Sequence, residues 1–164
     1  RAKTTVTHVS KIKYLGYAFY RNRGECRLRV HPKAVRKMKE RLRELTQRNK
    51  GWSNDYRRQK LSEYVRGWIN YYKLADMRRL MKDTDEWLRR RIRAVYWKQW
   101  KKVKTRYRNL RSLKLEEWQV HELSNSRKGY WRTAQMLSVA LTNKQIARLG
   151  YISMSDYYLK ICEN

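Results

Sequence analysis

Two stretches of helical periodicity, with cations at most of the positions the apolar pattern leaves over, constrain this chain more than any other feature. Leu61, Val65, Trp68, Tyr72 and Ala75 recur at steps of three and four, so one face of a helix is apolar and aromatic. After Asp76 a second, longer helix is expected, with Leu80, Leu88, Ile92, Val95 and Val103 on its buried side. Around those positions stand Arg89, Arg90, Arg91, Arg93, Lys98, Lys101, Lys102, Lys104, Arg106, Arg108 and Arg111. Positive charge at this density repels itself and costs the compact state stability. A polyanion lying along the helices offsets that repulsion.

The excess does not sit in a tail. The chain has 42 Lys plus Arg against 14 Asp plus Glu, a net charge of +28. Residues 1–32 hold 8 basic and 1 acidic side chain, residues 33–107 hold 25 and 8, and residues 108–164 hold 9 and 5. Basic surface concentrated in the middle points to nucleic acid first and an anionic membrane surface second. Spanning a membrane is excluded, because no run approaches the roughly 20 apolar residues a helix needs. A chain of 164 residues is one domain, or one with a small appendage. Its seven Trp and thirteen Tyr, against one Phe, are aromatics with a polar edge, suited to lie between a core and a wet partner. Cys26 and Cys162 share no short spacing with His8, His31 or His121, so neither zinc nor a disulfide framework is expected. Reduced thiols in an intracellular protein are the simpler reading. The chain opens at Arg1 in strand-like sequence, which suggests a fragment of something longer.

Taken in order, Thr4 to Val30 reads as two strands. Ile12, Tyr14, Tyr17, Phe19 and Tyr20 are β-prone, Asn22-Arg23-Gly24 is turn chemistry, and Cys26, Leu28 and Val30 alternate with Arg27, Arg29 and His31. A lone hairpin is marginal in water, so it is expected at the edge of an absent sheet or against the helices. Pro32 suits the first turn of a helix whose seam is Val35, Met38, Leu42 and Leu45, stopped by Asn49-Lys50-Gly51. Ser53, Asn54 and Asp55 offer caps for the next helix. Gly67 lies mid-helix at a cost of about 1 kcal/mol, which a close helix approach would offset. The third helix is expected from about Met77 to about Tyr107, with a possible re-start at Asp83-Thr84-Asp85-Glu86. Short helices follow over Glu116–Leu123 and Tyr130–Leu141, then one from the Thr142-Asn143-Lys144-Gln145 capping box to Gly150, and a last one from Ser153 or Ser155. The fold expected is mainly α: a three-helix bundle with an N-terminal β-hairpin and a C-terminal set of short helices.

Catalytic machinery is not evident. There is no Gly-rich phosphate loop, His-Glu-x-x-His or CxxC pair. Asp83 and Glu86 share a helix face, but acids in a first turn favour the helix dipole without any metal, and that is the better reading. The positive signal is the interleaving in Tyr96-Trp97-Lys98-Gln99-Trp100-Lys101-Lys102 and Lys104-Thr105-Arg106-Tyr107-Arg108. Cations grip phosphates, and flat rings stack on unpaired bases. The candidate RNA-binding set is Lys37, Arg41, Arg48, Arg89, Arg90, Arg93, Lys98, Lys101, Lys102, Lys104 and Arg106. Leu61, Val65, Gly67, Trp68, Tyr72, Leu88 and Ile92 are assigned to the structural core, with Trp87 beside them.

These residues resemble a known family. Lys13-Tyr14-Leu15-Gly16-Tyr17 is similar to the strand motif closing the palm of group II intron reverse transcriptases. Thr46-x-Arg48-Asn49-x-Gly51, Arg66-Gly67-Trp68-Ile69-Asn70-Tyr71-Tyr72 and Leu88-Arg89-Arg90-Arg91-Ile92-Arg93 resemble that family's maturase domain, also called domain X or the thumb. Ser126-Arg127-Lys128-Gly129-Tyr130-Trp131 resembles the C-terminal extension of bacterial members. The resemblance implies the end of a palm at 1–31, a thumb/maturase bundle at 32–111 and a C-terminal helical extension at 112–164. It implies docking on group II intron RNA to promote splicing, and a grip on template–primer duplex, in a bacterial cytoplasm. Target DNA is a further implied partner, and the alternatives are a DNA-target-binding module or a ribosomal-type RNA-binding protein. The paired-aspartate polymerase motif is missing, so no catalytic residue, metal or cofactor is expected in this chain. Mg2+ is expected for the parent polymerase and the ribozyme. Deleting 112–164 suggests itself as a way to separate RNA binding from DNA binding.

Overall fold

The computed structural model describes residues 7–162. The expected strand region begins at Thr4, so its first residues, like Arg1, lie outside the described part. Eight helices follow a small antiparallel sheet, a mainly α architecture as the periodicities require.

The sheet has three strands, β1 (Lys13–Tyr14), β2 (Tyr17–Asn22) and β3 (Glu25–Val30), in the order 1-2-3. The turn at Arg23-Gly24 joins Asn22 to its partner Glu25, with both central residues at positive φ, which is the twist-compatible hairpin turn. Sequence reading missed a second turn of the same kind at Leu15-Gly16, φ +49° and +85°, because leucine is not a turn residue. The sheet lies against the helices. The Tyr17 hydroxyl donates to the Tyr71 carbonyl at 2.6 Å, and the Asp76 amide donates to the Leu28 carbonyl at 2.9 Å.

Helix α1 (Pro32–Leu45) starts with proline at its first position and His31 as cap, whose Nδ1 accepts from the Lys33 amide. Met38, Leu42 and Leu45 are buried along its seam. It stops before Asn49-Lys50-Gly51, with Thr46 at its end donating its amide to the Leu42 and Glu44 carbonyls and its hydroxyl to the Leu42 carbonyl at 2.6 Å. Helix α2 (Asn54–Tyr71) is capped by Ser53, whose hydroxyl accepts from the Tyr56 amide. Leu61, Val65 and Ile69 are fully buried, Tyr72 nearly so, and Trp68 sits on the rim of the core rather than within it. Gly67 corrects the expectation of a close approach: it is exposed, and a Cβ there would meet nothing within 4 Å. Gly67→Ala is therefore expected to stabilise the fold by about 1 kcal/mol, read as a rise in the thermal midpoint. A fall would mean that the position needs glycine in the free protein.

Helix α3 (Arg78–Gln99) runs unbroken through Asp83–Glu86, so those acids start no helix. Leu88, Ile92 and Val95 are buried, Leu80 and Trp87 half-buried. The helix ends at Gln99 instead of near Tyr107, and α4 (Val103–Ser112) continues after a corner. The reason is Arg106. Its Nε donates to the Trp100 carbonyl at 2.9 Å, and its guanidinium stacks 4.2 Å from the centre of the Trp97 ring, which is buried. The corner leaves Val103 exposed, contrary to the periodicity.

Beyond it lie α5 (Glu117–Ser124), α6 (Tyr130–Met136), α7 (Asn143–Arg148) and α8 (Met154–Cys162). The helix expected through Leu141 stops at Met136. Thr142 caps α7, accepting from the Gln145 amide, and Gly150 at φ +85° ends it with its amide on Ala147 and the Tyr151 amide on Ile146, a Schellman closure. Two cores result. The larger joins α1, α2 and α3 to Leu141, Ile146, Tyr151, Met154 and Tyr158; the smaller gathers Trp97, Leu110, Val120, Leu123, Leu137 and Ala140. The buried Tyr158 hydroxyl donates to the Ala75 carbonyl at 2.7 Å, and burial pushes its pKa up to about 12.

Candidate nucleic-acid interface

The corner between α3 and α4 turns the interleaved cations outward. Lys101, Lys102, Lys104 and Arg108 are exposed and reach no carboxylate among the described residues, while Arg111 approaches Glu117 only at 4.0 Å. Lys102, Lys104, Arg108 and Arg111, with the hydroxyls of Thr105 and Ser112, line a groove of about 600 Å³. Tyr107 forms its aromatic wall, its hydroxyl donating to Glu117. Donors that bind phosphate and a ring that stacks meet on one open surface.

A second cationic group stands where the sheet meets the helices. Lys13, Lys33 and Lys37 border a groove of about 370 Å³ whose floor includes Tyr64, Trp68 and Tyr72. The Leu15-Gly16 turn forms one lip, with the Leu15 carbonyl accepting from the Tyr71 hydroxyl at 3.1 Å. Tyr14, Leu15 and Tyr71 are large exposed apolar side chains at this lip.

A third group is built from arginines stacked on rings. Arg43 and Arg91 lie over Trp87, Arg48 and Lys98 over Tyr130, and Arg90 over Trp131. Arg91 Nε donates to the Thr46 hydroxyl at 2.6 Å, and its Nη2 to the Arg43 carbonyl at 3.2 Å. Burial, then the positive charges of Arg43 and Arg48, lower the Arg91 pKa from its ordinary value.

The sequence-derived cations thus divide. Lys37, Arg48, Lys101, Lys102 and Lys104 are exposed and free of carboxylates among the described residues; Arg41 is exposed but paired with Glu44 at 2.7 Å. Lys98 is half-buried over Tyr130. Four arginines serve the fold. Arg93 is 7 % exposed, its Nε donating to the Leu141 carbonyl at 2.7 Å and its Nη2 to Asn143 Oδ1 at 3.0 Å, and this burial lowers its pKa. Arg106 holds the corner, Arg90 donates twice to the Trp131 carbonyl, and Arg89 pairs with buried Asp85 at 3.6 Å. Periodicity placed these four on helices correctly, but not Arg90 against α6 or Arg93 against the start of α7, whose contacts are distant in sequence. The same reason hid Arg43, Tyr130 and Trp131.

Asp85 does not cap its own helix, which begins at Arg78. Its carboxylate accepts from the Met154 and Ser155 amides at 2.8 and 2.9 Å and from the Ser153 and Ser155 hydroxyls, so it caps α8 from α3. Among the described residues no group of three or more His, Cys, Asp or Glu is arranged to hold a metal ion, and no helix is long and apolar enough to cross a membrane.

Residues 35–118 match the family described as group II intron, maturase-specific domain. No match is found among curated proteins.

Proposed function

Since the chain belongs to the group II intron maturase-specific domain family, we propose that it acts in splicing by docking its cationic grooves on the folded intron RNA. The observation that supports this most is the 600 Å³ groove at the α3–α4 corner, where Lys102, Lys104 and Arg108 have no carboxylate to neutralise them among the described residues. Phosphates entering that groove release condensed counterions and relieve the repulsion between the side chains. The protein's part is to hold the RNA in its active fold. Chemistry and Mg2+ would belong to the RNA and to a polymerase outside this chain.

On this reading residues 1–31 are the end of a palm, 32–111 the thumb or maturase bundle and 112–164 its extension. The groove bordered by Lys13, Lys33 and Lys37, lying at the junction of the first two, suits template–primer duplex during reverse transcription. Target-DNA binding by the last helices has less support. Helix α8 spends Met154 and Tyr158 on the core and turns Asp156 as well as Lys160 outward.

Binding of the chain to a group II intron RNA is expected to fall steeply with salt, by about 0.9 log units per log unit of salt for each phosphate gripped. The double reversal Lys104→Glu, Arg108→Glu should reduce that slope by about two, with the helical circular dichroism unchanged. Binding that ignored salt would refute the phosphate grip. An equal affinity for an unrelated RNA helix would instead favour a ribosomal-type packaging role.

A further inference from the structure

We infer that the cleft beneath Trp131 captures a single unpaired nucleotide of structured RNA, with its phosphate between Arg48 and Arg91 and its base stacked at the Trp131 indole. This rests on the RNA-docking reading above, but it concerns residues which that reading leaves unassigned. Thr46, Arg48, Arg91, Ala94 and Trp131 line the cleft, which measures about 90 Å³. That is far below the roughly 300 Å³ at which pockets begin to enclose a whole small molecule. It has room for a compact anion and leaves an attached base on the rim.

The rim is built for stacking. Trp131 is 44 % exposed and belongs to neither core. The Arg90 guanidinium lies 4.2 Å from the centre of its ring and donates through Nε and Nη2 to the Trp131 carbonyl at 3.1 and 3.0 Å. Ring and guanidinium are therefore held before a ligand arrives, and little side-chain freedom is lost on binding. The interior is built for an anion. Arg48 and Arg91 line it, Arg43 stands beside Arg91, and none of the three forms an ion pair among the described residues. Arg91 donates in two of its hydrogen bonds to fixed partners, so its direction is set while donors remain.

The combination selects the occupant. A base inside a duplex has both faces covered by its neighbours, whereas an extruded base offers one face to an aromatic ring. An acidic peptide would satisfy the arginines but has no use for the indole.

The test compares a fully paired RNA hairpin with the same hairpin carrying one bulged adenosine, each titrated with the full chain. The chain should bind the bulged hairpin more tightly, and Trp131→Ala should weaken that binding about tenfold while leaving the paired hairpin unaffected. Trp131→Phe, which keeps a stacking face, should retain most of the preference. Arg48→Gln should reduce the salt slope on the bulged hairpin by about one. The assignment is overturned if Trp131→Ala weakens both hairpins equally or neither, if Trp131→Phe behaves like the alanine, or if polyglutamate displaces the bulged hairpin as well as a bulged competitor does. In those cases the general docking of RNA survives. Failure of the unaltered chain to bind either hairpin would remove both readings together.

Discussion

Asp85→Ala is expected to lower the thermal midpoint of unfolding by about 6 to 20 °C, as much as truncating a fully buried core side chain. The carboxylate is buried, and it accepts from two backbone amides and two serine hydroxyls at the start of α8 while facing Arg89. Alanine leaves both amides and at least one serine hydroxyl without an acceptor, the two hydroxyls being 3.1 Å apart, and a half-buried guanidinium without its anion. Removing one member of such a set costs about 3–5 kcal/mol. For a chain of this length each kcal/mol moves the midpoint by about 2–4 °C. Asp85→Asn should recover little, because its amide group would confront the N–H groups it replaces an acceptor for. Arg89→Ala is milder, since the hydrogen bonds to the carboxylate remain. Circular dichroism on heating reads all three. A midpoint for the alanine variant within 2 °C of the parent would show that α8 is not held from α3.

Arg93→Glu should unfold the chain or cost it a comparable amount, whereas Arg90→Glu should leave it folded. The two arginines stand three positions apart on one helix and read alike in sequence. Arg93 is buried, its guanidinium on the Leu141 carbonyl and Asn143; a carboxylate there would meet a carbonyl oxygen in a site with little water. Arg90 is half-exposed and would lose two hydrogen bonds and a stacking contact, worth about 1–2 kcal/mol. Reversal of both charges, which the sequence suggests as a clean way to weaken RNA binding, is instead expected to be a folding defect, because Arg93 is buried. Urea denaturation of the single variants separates the two roles. Equal stability of both would place Arg93 on the surface.

What periodicity made legible were the elements whose determinants are local. The α1 seam, the Ser53 cap, the Thr142 cap and the Gly150 closure each depend on residues within a few positions. The basic corner was legible in composition, since nothing at i±4 balances Lys101, Lys102 and Lys104. What escaped depends on partners outside the helical spacing of three and four, or far along the chain. The α3–α4 corner is made by Arg106 closing on Trp97 and Trp100, and nothing in the local pattern distinguishes it from a helix-surface arginine. The role of Asp85 is set 69 residues away, at Met154. Gly67 failed for the opposite reason. An interior glycine suggested a neighbour, and the free protein provides none.

The route of the chain through the larger core bears on how this protein can be divided. The family match ends at residue 118, yet Ile146, Tyr151, Met154 and Tyr158 close the seam between α2 and α3. Cutting at 112 would open that seam to water and strand Asp85 without its helix. A shortened protein of that kind would report on misfolding rather than on which nucleic acid the C-terminal part contacts. Point changes at exposed positions are the way to dissect this surface, because the segment that looks like an appendage is the keystone of the bundle.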